Sequence, residues 1–323
     1  MALLDSILTN VNDFLSVWIL IPLLIFAGIY FTVRTKFVQF RFLKDAFKSL
    51  IEKADKGKVS SFQSLMISTA SRVGTGHIAG IASAILIGGP GAVFWMWIMA
   101  ILGSASAFIE STLSQVYKIK SGEGFRGGPS YYIQKALGKK GLGVFFSVLL
   151  IVGYAYGFNA LQAFQFSSAM ESYIPNYRNS IFCVLVGLGL SLLIAFIIWG
   201  GIHRIGFIST TMVPLMAGIY ICLGIFITFK NFYKIPDMFA TIFSEAFNFK
   251  AIFGAMFSKS ALMMGMKRGL FSNEAGMGSA PNVAATADVA HPVNQGLAQI
   301  LAVFIDTLVI CTTTALVVLS TDI

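Results

Sequence analysis

Long apolar stretches recur along nearly the whole chain of 323 residues and are separated by short polar segments. A run of about 20 apolar residues is long enough to cross the roughly 30 Å hydrocarbon core of a bilayer as one helix. The pattern predicts about eight such spans, and therefore an all-α, multi-pass membrane protein. The predicted spans cover residues 15–33, 61–87, 92–117, 143–172, 180–199, 207–228, 251–289 and 295–319.

Composition supports this class, since 56% of the residues are hydrophobic, 11% are charged and the mean hydropathy is +0.79. Soluble domains carry about twice that share of charged residues. The net charge of +9 lies mainly in two loops, residues 34–58 and 118–140, rather than on one folded basic face. A nucleic-acid partner is therefore excluded, and the lipid bilayer is the expected surrounding.

The two basic loops also predict the orientation, because short cytoplasmic loops collect lysine and arginine. Two predicted spans separate the loops, so both can lie in the cytoplasm. This places the N-terminus outside a cell membrane. The N-terminal head contains Asp5 and Asp13 but no lysine or arginine, so the first span is expected to be a retained helix rather than a signal peptide.

The segment "KFVQFRFLKDAFKSL" in the first basic loop places Phe37, Phe40, Phe47 and Leu50 near one helical face, with cations between them. Such a helix suits the cytoplasmic membrane interface. It suits packing against the protein itself equally well, and the sequence leaves both possibilities open.

Motifs typical of enzymes are missing from the sequence. The three cysteines lie in predicted spans without CxxC spacing, and the three histidines are scattered. The chain also contains no GxSxG elbow and no P-loop. We therefore expect a protein that is not an enzyme.

Two predicted spans are interrupted by residues that weaken helices. In the second span, "RVGTGHIAG" brings Gly74, Gly76 and Gly80 close to the middle of the membrane. In the seventh, "RGLFSNEAGMGSAPN" combines several glycines and a proline with Asn273 and Glu274. A broken helix persists in a membrane only where protein or a watery cavity satisfies its backbone. Two breaks of this kind indicate a transporter site, and close helix packing by glycine is the alternative.

Four long motifs make the chain recognisable. They are "SSFQSLMISTASRVGTGHIAGIASAILIGGPGAVFWMW", "FRGGPSYYI", "GMKRGLFSNEAGMGSAPN" and "HPVNQGLAQILAVFIDTLVICTTTAL". In this order they closely resemble the alanine or glycine:cation symporter family, the sodium:alanine symporters. The resemblance covers essentially the whole chain.

The resemblance implies a leucine-transporter-like fold, in which two five-helix inverted repeats each begin with an unwound helix. Residues 1–59 would be an extra N-terminal transmembrane helix and a cytoplasmic interfacial helix, residues 60–229 the first repeat, and residues 230–323 the start of the second. Family members continue through roughly three or four more helices. The second repeat is therefore expected to be incomplete here, and the chain looks short at its C-terminus.

The resemblance also implies roles for individual residues. The backbone carbonyls of Ala70 and Val73 would bind sodium, and Phe271 would close over the substrate from the outer side. Either Gln162 or Gln165 would reach the pocket. The N–H groups of Gly74, Thr75 and Gly76 would receive a substrate carboxylate. The second break would offer Asn273, Glu274 and Gly276 to the substrate ammonium.

His77 departs from the family pattern, which reads GTGN where this chain reads Gly74, Thr75, Gly76 and His77. An imidazole therefore stands where the family has an amide, and the substrate or ion preference of the family does not carry over at that position. Charged residues within spans are costly and are functional candidates by default. They are Arg72, Glu110, Arg268, Glu274 and Asp306, and the alternative role for them is structural ion pairing.

The function implied is secondary active symport of a small neutral amino acid, alanine or glycine, with sodium as the co-transported ion. The alternative is a transport-inactive membrane subunit or binding scaffold of the same fold, suggested by the short C-terminus.

Overall fold

The computed structural model describes residues 2–51, 58–122, 124–174, 176–248 and 260–321. Its N-terminal half consists of helices α1 Ala2–Phe14, α2 Ile21–Arg34, α3 Val38–Arg41, α4 Leu43–Ile51, α5 Ser61–Arg72, α6 Thr75–Gly88, α7 Ala92–Val116, α8 Pro129–Leu137, α9 Lys140–Ile151 and α10 Asn159–Glu171. The remainder consists of α11 Ile181–Trp199, α12 Gly201–Lys230, α13 Ile235–Ala246, α14 Ala261–Asn273, α15 Ser279–Thr286, α16 Pro292–Val303 and α17 Cys311–Ser320.

Within the described residues, three π-helical turns join helices into longer rods: Leu15–Leu20 between α1 and α2, Val152–Phe158 between α9 and α10, and Phe304–Ile310 between α16 and α17. Short 3₁₀ turns span Tyr177–Asn179 and Phe232–Lys234. π-Turns inside helices frequently occur at functional sites.

Six helical rods among the described residues are long and apolar enough to cross a membrane, and the bent pair α5 and α6 adds a seventh. The rods are Ser6–Arg34, Ala92–Val116, Lys140–Glu171, Ile181–Trp199, Gly201–Lys230 and Pro292–Ser320. The prediction of an all-α, multi-pass protein is thereby confirmed. The predicted seventh span, residues 251–289, corresponds to α14 and α15, and its first nine residues lie outside the described part of the chain.

Helix α7 lies at the centre of the molecule and packs against α2, α14, α15 and α16. Small side chains line much of α7 and allow close approach, with Gly103, Ser104 and Ala105 all buried. By contrast, α11 exposes nearly all of its apolar surface, as does much of α12. Because such a surface is stable only away from water, these helices form the lipid-facing side.

Helix α5 begins where the sequence provides a capping box. The Gln63 backbone N–H donates to the Ser60 side chain over 3.1 Å, and the Gln63 side chain accepts from the Ser60 N–H over 3.0 Å. This reciprocal pair satisfies two backbone donors that a helix start leaves free. It fixes the entry of the chain into the first interrupted span.

A β-hairpin follows α7, with β1 Ile119–Ser121 antiparallel to β2 Gly124–Arg126. The hairpin, the start of α5, the start of α12 and the end of α15 meet on one face of the molecule, where Lys58, Arg126, His203 and Thr286 line a shared cavity. An alternating topology requires these four chain segments to lie on the same side. The assignment of that side to the cytoplasm stays a prediction.

The predicted interfacial helix is divided into α3 and α4 near Phe42. Val38 and Ala46 are buried against α16, whereas Phe37 and Phe47 remain more than half exposed. The segment therefore packs on the protein with one face and presents phenylalanines outward with the other. The division of the chain at residues 59 and 229 into an extra segment and two repeats stays a prediction.

The close contact between α7 and α14 leads to a test of the core. A Cβ at Gly265 would collide with the Ala92 carbonyl oxygen and lie 2.7 Å from the Trp95 Cβ, so the backbones would have to separate. We expect Gly265→Ala to destabilise the fold by about 1–3 kcal/mol. Thermal unfolding of the purified chain in detergent measures this as a lower midpoint.

Gly187→Ala is the matched control, because nothing lies within 4 Å of a Cβ at that position of α11. Alanine there should leave the midpoint unchanged or raise it, since alanine favours helix by about 1 kcal/mol over glycine. Equal midpoints for the two variants would contradict the central position of α7.

Candidate substrate and ion site

The first interrupted span bends by 45° between α5 and α6. Val73 and Gly74 are both extended, with φ −72° and ψ 103° at Val73 and φ −163° and ψ −156° at Gly74. The last carbonyls of α5 and the first N–H groups of α6 therefore lie at a gap in the helix. A helix C-terminus carries partial negative charge and an N-terminus partial positive charge, so the gap offers both to a ligand.

The second interrupted span is broken between α14 and α15. Three residues of this connection adopt left-handed backbone conformations: Glu274 with φ 49°, Gly276 with φ 81° and Gly278 with φ 86°. Glycine adopts this region freely, but a glutamate there is uncommon and persists only when its surroundings hold it. The contacts of the Glu274 side chain provide that hold.

Glu274 joins the two breaks. Its Oε2 accepts a hydrogen bond from Ser71 Oγ at the end of α5 over 3.3 Å, and another from Ser279 Oγ at the start of α15. The residue is 1% exposed. One buried carboxylate therefore connects the end of α5 with the start of α15. This contact holds the two breaks next to each other.

Arg72 connects the first break to the rod formed by α16 and α17. Its guanidinium lies 3.5 Å from Asp306 Oδ2 and donates to Gln299 Oε1 over 3.0 Å, and both charged side chains are fully buried. Gln299 Oε1 also accepts from Ser68 over 2.9 Å. Asp306 lies in the π-turn Phe304–Ile310, so this ion pair anchors α5 at an irregular point of the neighbouring rod.

The other two charged residues of the predicted set have separate environments. Glu110 Oε1 accepts from the backbone N–H of Gly276 over 2.8 Å and thereby satisfies an exposed amide of the second break. Arg268 lines a cavity between α14 and the N-terminal rod. Structural pairing, the alternative reading of this set, is therefore found for Arg72 with Asp306.

A central cavity of about 560 Å³ adjoins the first break. The break, the π-turn Val152–Phe158, α10 and α12 supply its walls. Its lining residues are Ala70, Ser71, Val73, Gly74, His77, Ile78, Tyr154, Phe158, Asn159, Gln162, Met216, Ala217, Tyr220 and Ile310. Of the residues predicted from the sequence, the structure brings together Ala70, Val73, Gly74, His77 and Gln162.

The structure distinguishes between the two candidate glutamines, Gln162 and Gln165. A Cβ at Gly74 would lie 2.8 Å from Gln162 Nε2, so the glutamine amide lies directly beside the break. Gln165 does not line the central cavity.

Phe271 and Gly276 line a second cavity, of about 420 Å³, between α14 and the N-terminal rod. The Phe271 ring stacks on Phe158 with centroids 5.4 Å apart, and Phe158 stacks on Tyr154 at 4.5 Å. Because Phe158 lines the central cavity and Phe271 the other, this stack forms the wall between them. The sequence analysis missed Tyr154 and Phe158, although their spacing of four residues in "YAYGF" places them on one helical face.

Asn273 does not line either cavity. It is fully buried, donates through Nδ2 to the Met99 carbonyl over 3.0 Å and accepts from the Ala275 N–H over 3.0 Å. Its amide therefore closes the end of α14. The side chain of Thr75 lies outside the described part of the structure.

His77 connects α6 to α14. Its Nε2 lies 3.1 Å from Ser272 Oγ, which in turn lies 2.9 Å from Thr307 Oγ1, and His77 is 2% exposed. Nδ1 is buried within the protein. The imidazole is thus held to α14 through Nε2, at the wall of the central cavity.

Comparison with known proteins agrees with this architecture. The model of the sodium:alanine symporter family matches residues 1–323. The chain belongs to this family. Since it is a family of transporters, the expectation that the chain is not an enzyme is confirmed. The leucine-transporter-like arrangement of repeats stays a prediction.

Several known proteins are similar in sequence to this chain. The amino-acid carrier protein AlsT of Bacillus subtilis is 47% identical over 98% of this chain and 66% of its own length. The probable sodium/glutamine symporter GlnT of the same organism is 48% identical over 99% of this chain and 66% of its own length. The sodium/alanine symporter AgcS of Methanococcus maripaludis is 40% identical over 97% of this chain and 70% of its own length. The chain thus spans about two thirds of the length of these relatives.

The buried ion pair gives a prediction about the site's framework. Removing one partner of a buried pair leaves an uncompensated charge and typically costs 3–5 kcal/mol. We therefore expect Asp306→Asn to lower the thermal midpoint of the detergent-solubilised chain strongly.

The double variant Arg72→Gln with Asp306→Asn removes both charges and should recover much of that loss. A double variant as unstable as the sum of its single variants would indicate that the two side chains act independently.

Proposed function

We propose that this chain forms the substrate cavity of a sodium-coupled symporter for a small neutral amino acid, with alanine or glycine as the first candidates. The observation that carries the proposal is the opening of the first break onto the central cavity. The gap between α5 and α6 is backbone without regular helical hydrogen bonds, beside a cavity of about 560 Å³. Such backbone occurs within a membrane protein where it lines a binding cavity.

The charge pattern of the gap suits a zwitterion together with a cation. In this proposal, the N-terminus of α6 binds the substrate carboxylate through the N–H groups near Gly74 and Gly76. The carbonyls of Ala70 and Val73, at the C-terminal end of α5, bind sodium. Both residues line the cavity. The cation and the carboxylate then lie close enough to favour each other's binding.

The substrate ammonium is assigned to the opposite wall. The second break was expected to receive it, but the Asn273 amide is already engaged and Glu274 is bonded to two serines. Gln162 lines the cavity beside Gly74 and carries an amide oxygen. We assign the ammonium to this oxygen and the side chain of the substrate to the wall of Tyr154 and Phe158.

Sodium coupling supplies the energy for accumulation. At 100 mV, one inward charge is worth about 2.3 kcal/mol, on the order of a fifty-fold concentration ratio before the chemical sodium gradient is added. The proposal places the chain in a cell membrane with the N-terminus outside.

The relatives of the chain are named for amino acids of different size. AgcS is named as a sodium/alanine symporter and GlnT as a probable sodium/glutamine symporter. Competition of labelled alanine uptake by glycine, serine and glutamine ranks these substrates directly.

Uptake of labelled alanine into proteoliposomes containing the chain tests the proposal. We expect uptake with an inward sodium gradient and none when the gradient is collapsed. Gln162→Ala should raise the concentration for half-maximal uptake by about 10–100-fold, since the loss of a hydrogen bond to a charged group costs about 1.5–3 kcal/mol.

Gln165→Ala is the matched control and should behave as the unmodified chain does. Uptake that ignores the sodium gradient would contradict symport. A folded, inserted chain without uptake in any condition would favour the scaffold alternative.

A further inference from the structure

A third cavity, of about 520 Å³, lies on the face predicted to be cytoplasmic and is separate from the proposed substrate site. Four chain segments supply its walls: the start of α5, the β-hairpin, the first turn of α12 and the end of α15. We call it the loop cavity. Its polar lining consists of Lys58, Arg126, His203, Ser121 and Thr286.

The described side chains that line the loop cavity include basic residues and hydroxyls but no carboxylate. The nearest acid is Asp288, whose Oδ2 lies 2.9 Å from Lys58 Nζ. Burial lowers the pKa of Lys118, and the Asp288 carboxylate opposes this shift. Asp288 therefore interacts with both Lys58 and Lys118. Lys118 Nζ itself donates to the Ala287 carbonyl over 2.8 Å and lies 4.0 Å from the centroid of the Phe125 ring.

Arg126 and His203 are exposed, and the side chain of neither has a hydrogen bond or ion pair with any residue that the structure describes. The cavity thus contains a guanidinium and an imidazole whose donors are available to a ligand. A guanidinium presents its N–H groups as a planar fork that matches two oxygens of a phosphate.

The start of α12 adds further donors. The helix is 30 residues long, its first residue is Gly201, and within the described chain no side chain caps its N-terminus. The first four N–H groups of a helix have no partner within the helix, and together with the helix dipole they favour phosphate. Ile202 and His203 of this first turn both line the cavity, so the start of α12 borders it.

Trp199 indicates the depth of the cavity relative to a membrane. It is the last residue of α11, is 91% exposed and lies four residues before His203 in the chain. Exposed tryptophans are enriched at the level of lipid headgroups. The apolar surfaces of α11 and α12 extend from this level, so acyl chains can lie beside the helices while a headgroup occupies the cavity.

We propose that the loop cavity binds a phosphate group through Arg126, His203 and the start of α12. The position of Trp199 favours the phosphodiester of an anionic phospholipid over a soluble phosphate. Basic pockets on the cytoplasmic side of membrane proteins bind lipid headgroups in this way.

Native mass spectrometry of the 323-residue chain in detergent tests the site with phosphatidylglycerol and with phosphatidylcholine as the reference, a zwitterionic lipid whose choline cation offsets its phosphodiester. We expect phosphatidylglycerol to bind more tightly. The double variant Arg126→Gln with His203→Gln should lower its affinity about ten-fold, given the contribution of each basic residue near a membrane surface.

Lys135→Gln is the matched control, because Lys135 is an exposed cation of the same loop region that does not line the cavity. It should leave the affinity unchanged. An equal loss in the control and the double variant, or no loss in the double variant, would overturn the proposal. Retention on size exclusion verifies that each variant is folded.

Titration with inorganic phosphate separates the two sources of the ligand. Competition between phosphate and phosphatidylglycerol, absent in the double variant, supports one shared site. Phosphate binding that depends on Arg126 and His203, without lipid binding, would keep the phosphate site and overturn the lipid as its occupant.

Discussion

The buried carboxylate of Glu274 is the contact on which the candidate site depends. Two interrupted helices meet in a membrane-spanning core, and each interruption exposes backbone groups that lipid cannot satisfy. Glu274 lies within one break, is itself in a left-handed conformation, and accepts hydrogen bonds from serines that flank both breaks. Glu274 therefore holds the two helix breaks in one fixed arrangement, and the central cavity lies beside the first break.

Polar contacts hold the frame of the candidate site, and other polar groups line its cavity. Arg72, Asp306 and Gln299 bond to one another, and Glu110 satisfies an amide of the second break. These groups hold the frame and are therefore already engaged. The ends of α5 and α6, Gln162 beside them and His77 line the central cavity. The proposed binding chemistry is thus concentrated on the first break, and the second break contacts the first through Glu274.

The sequence predicted those features that depend on one continuous segment of the chain. Length and hydropathy predicted the membrane rods, and glycines beside polar residues in "RVGTGHIAG" and "RGLFSNEAGMG" predicted both interruptions. Pairings across long separations were out of reach, because nothing near Arg72 in the chain indicates that its partner is Asp306. For the same reason, Gln162 could not be distinguished from Gln165, and Phe271 could not be assigned to a different cavity from Gly74. These outcomes depend on how α10 and α14 are oriented in three dimensions.

Equilibrium binding of labelled alanine to the purified chain, measured across sodium concentrations with potassium as the replacement ion, tests the central claim most directly. If the ends of α5 and α6 bind a cation and a carboxylate side by side, sodium must increase the affinity for alanine, and alanine must increase the affinity for sodium by the same factor. Reciprocal enhancement is the result that this account predicts. Alanine binding of equal strength in sodium and potassium would contradict it.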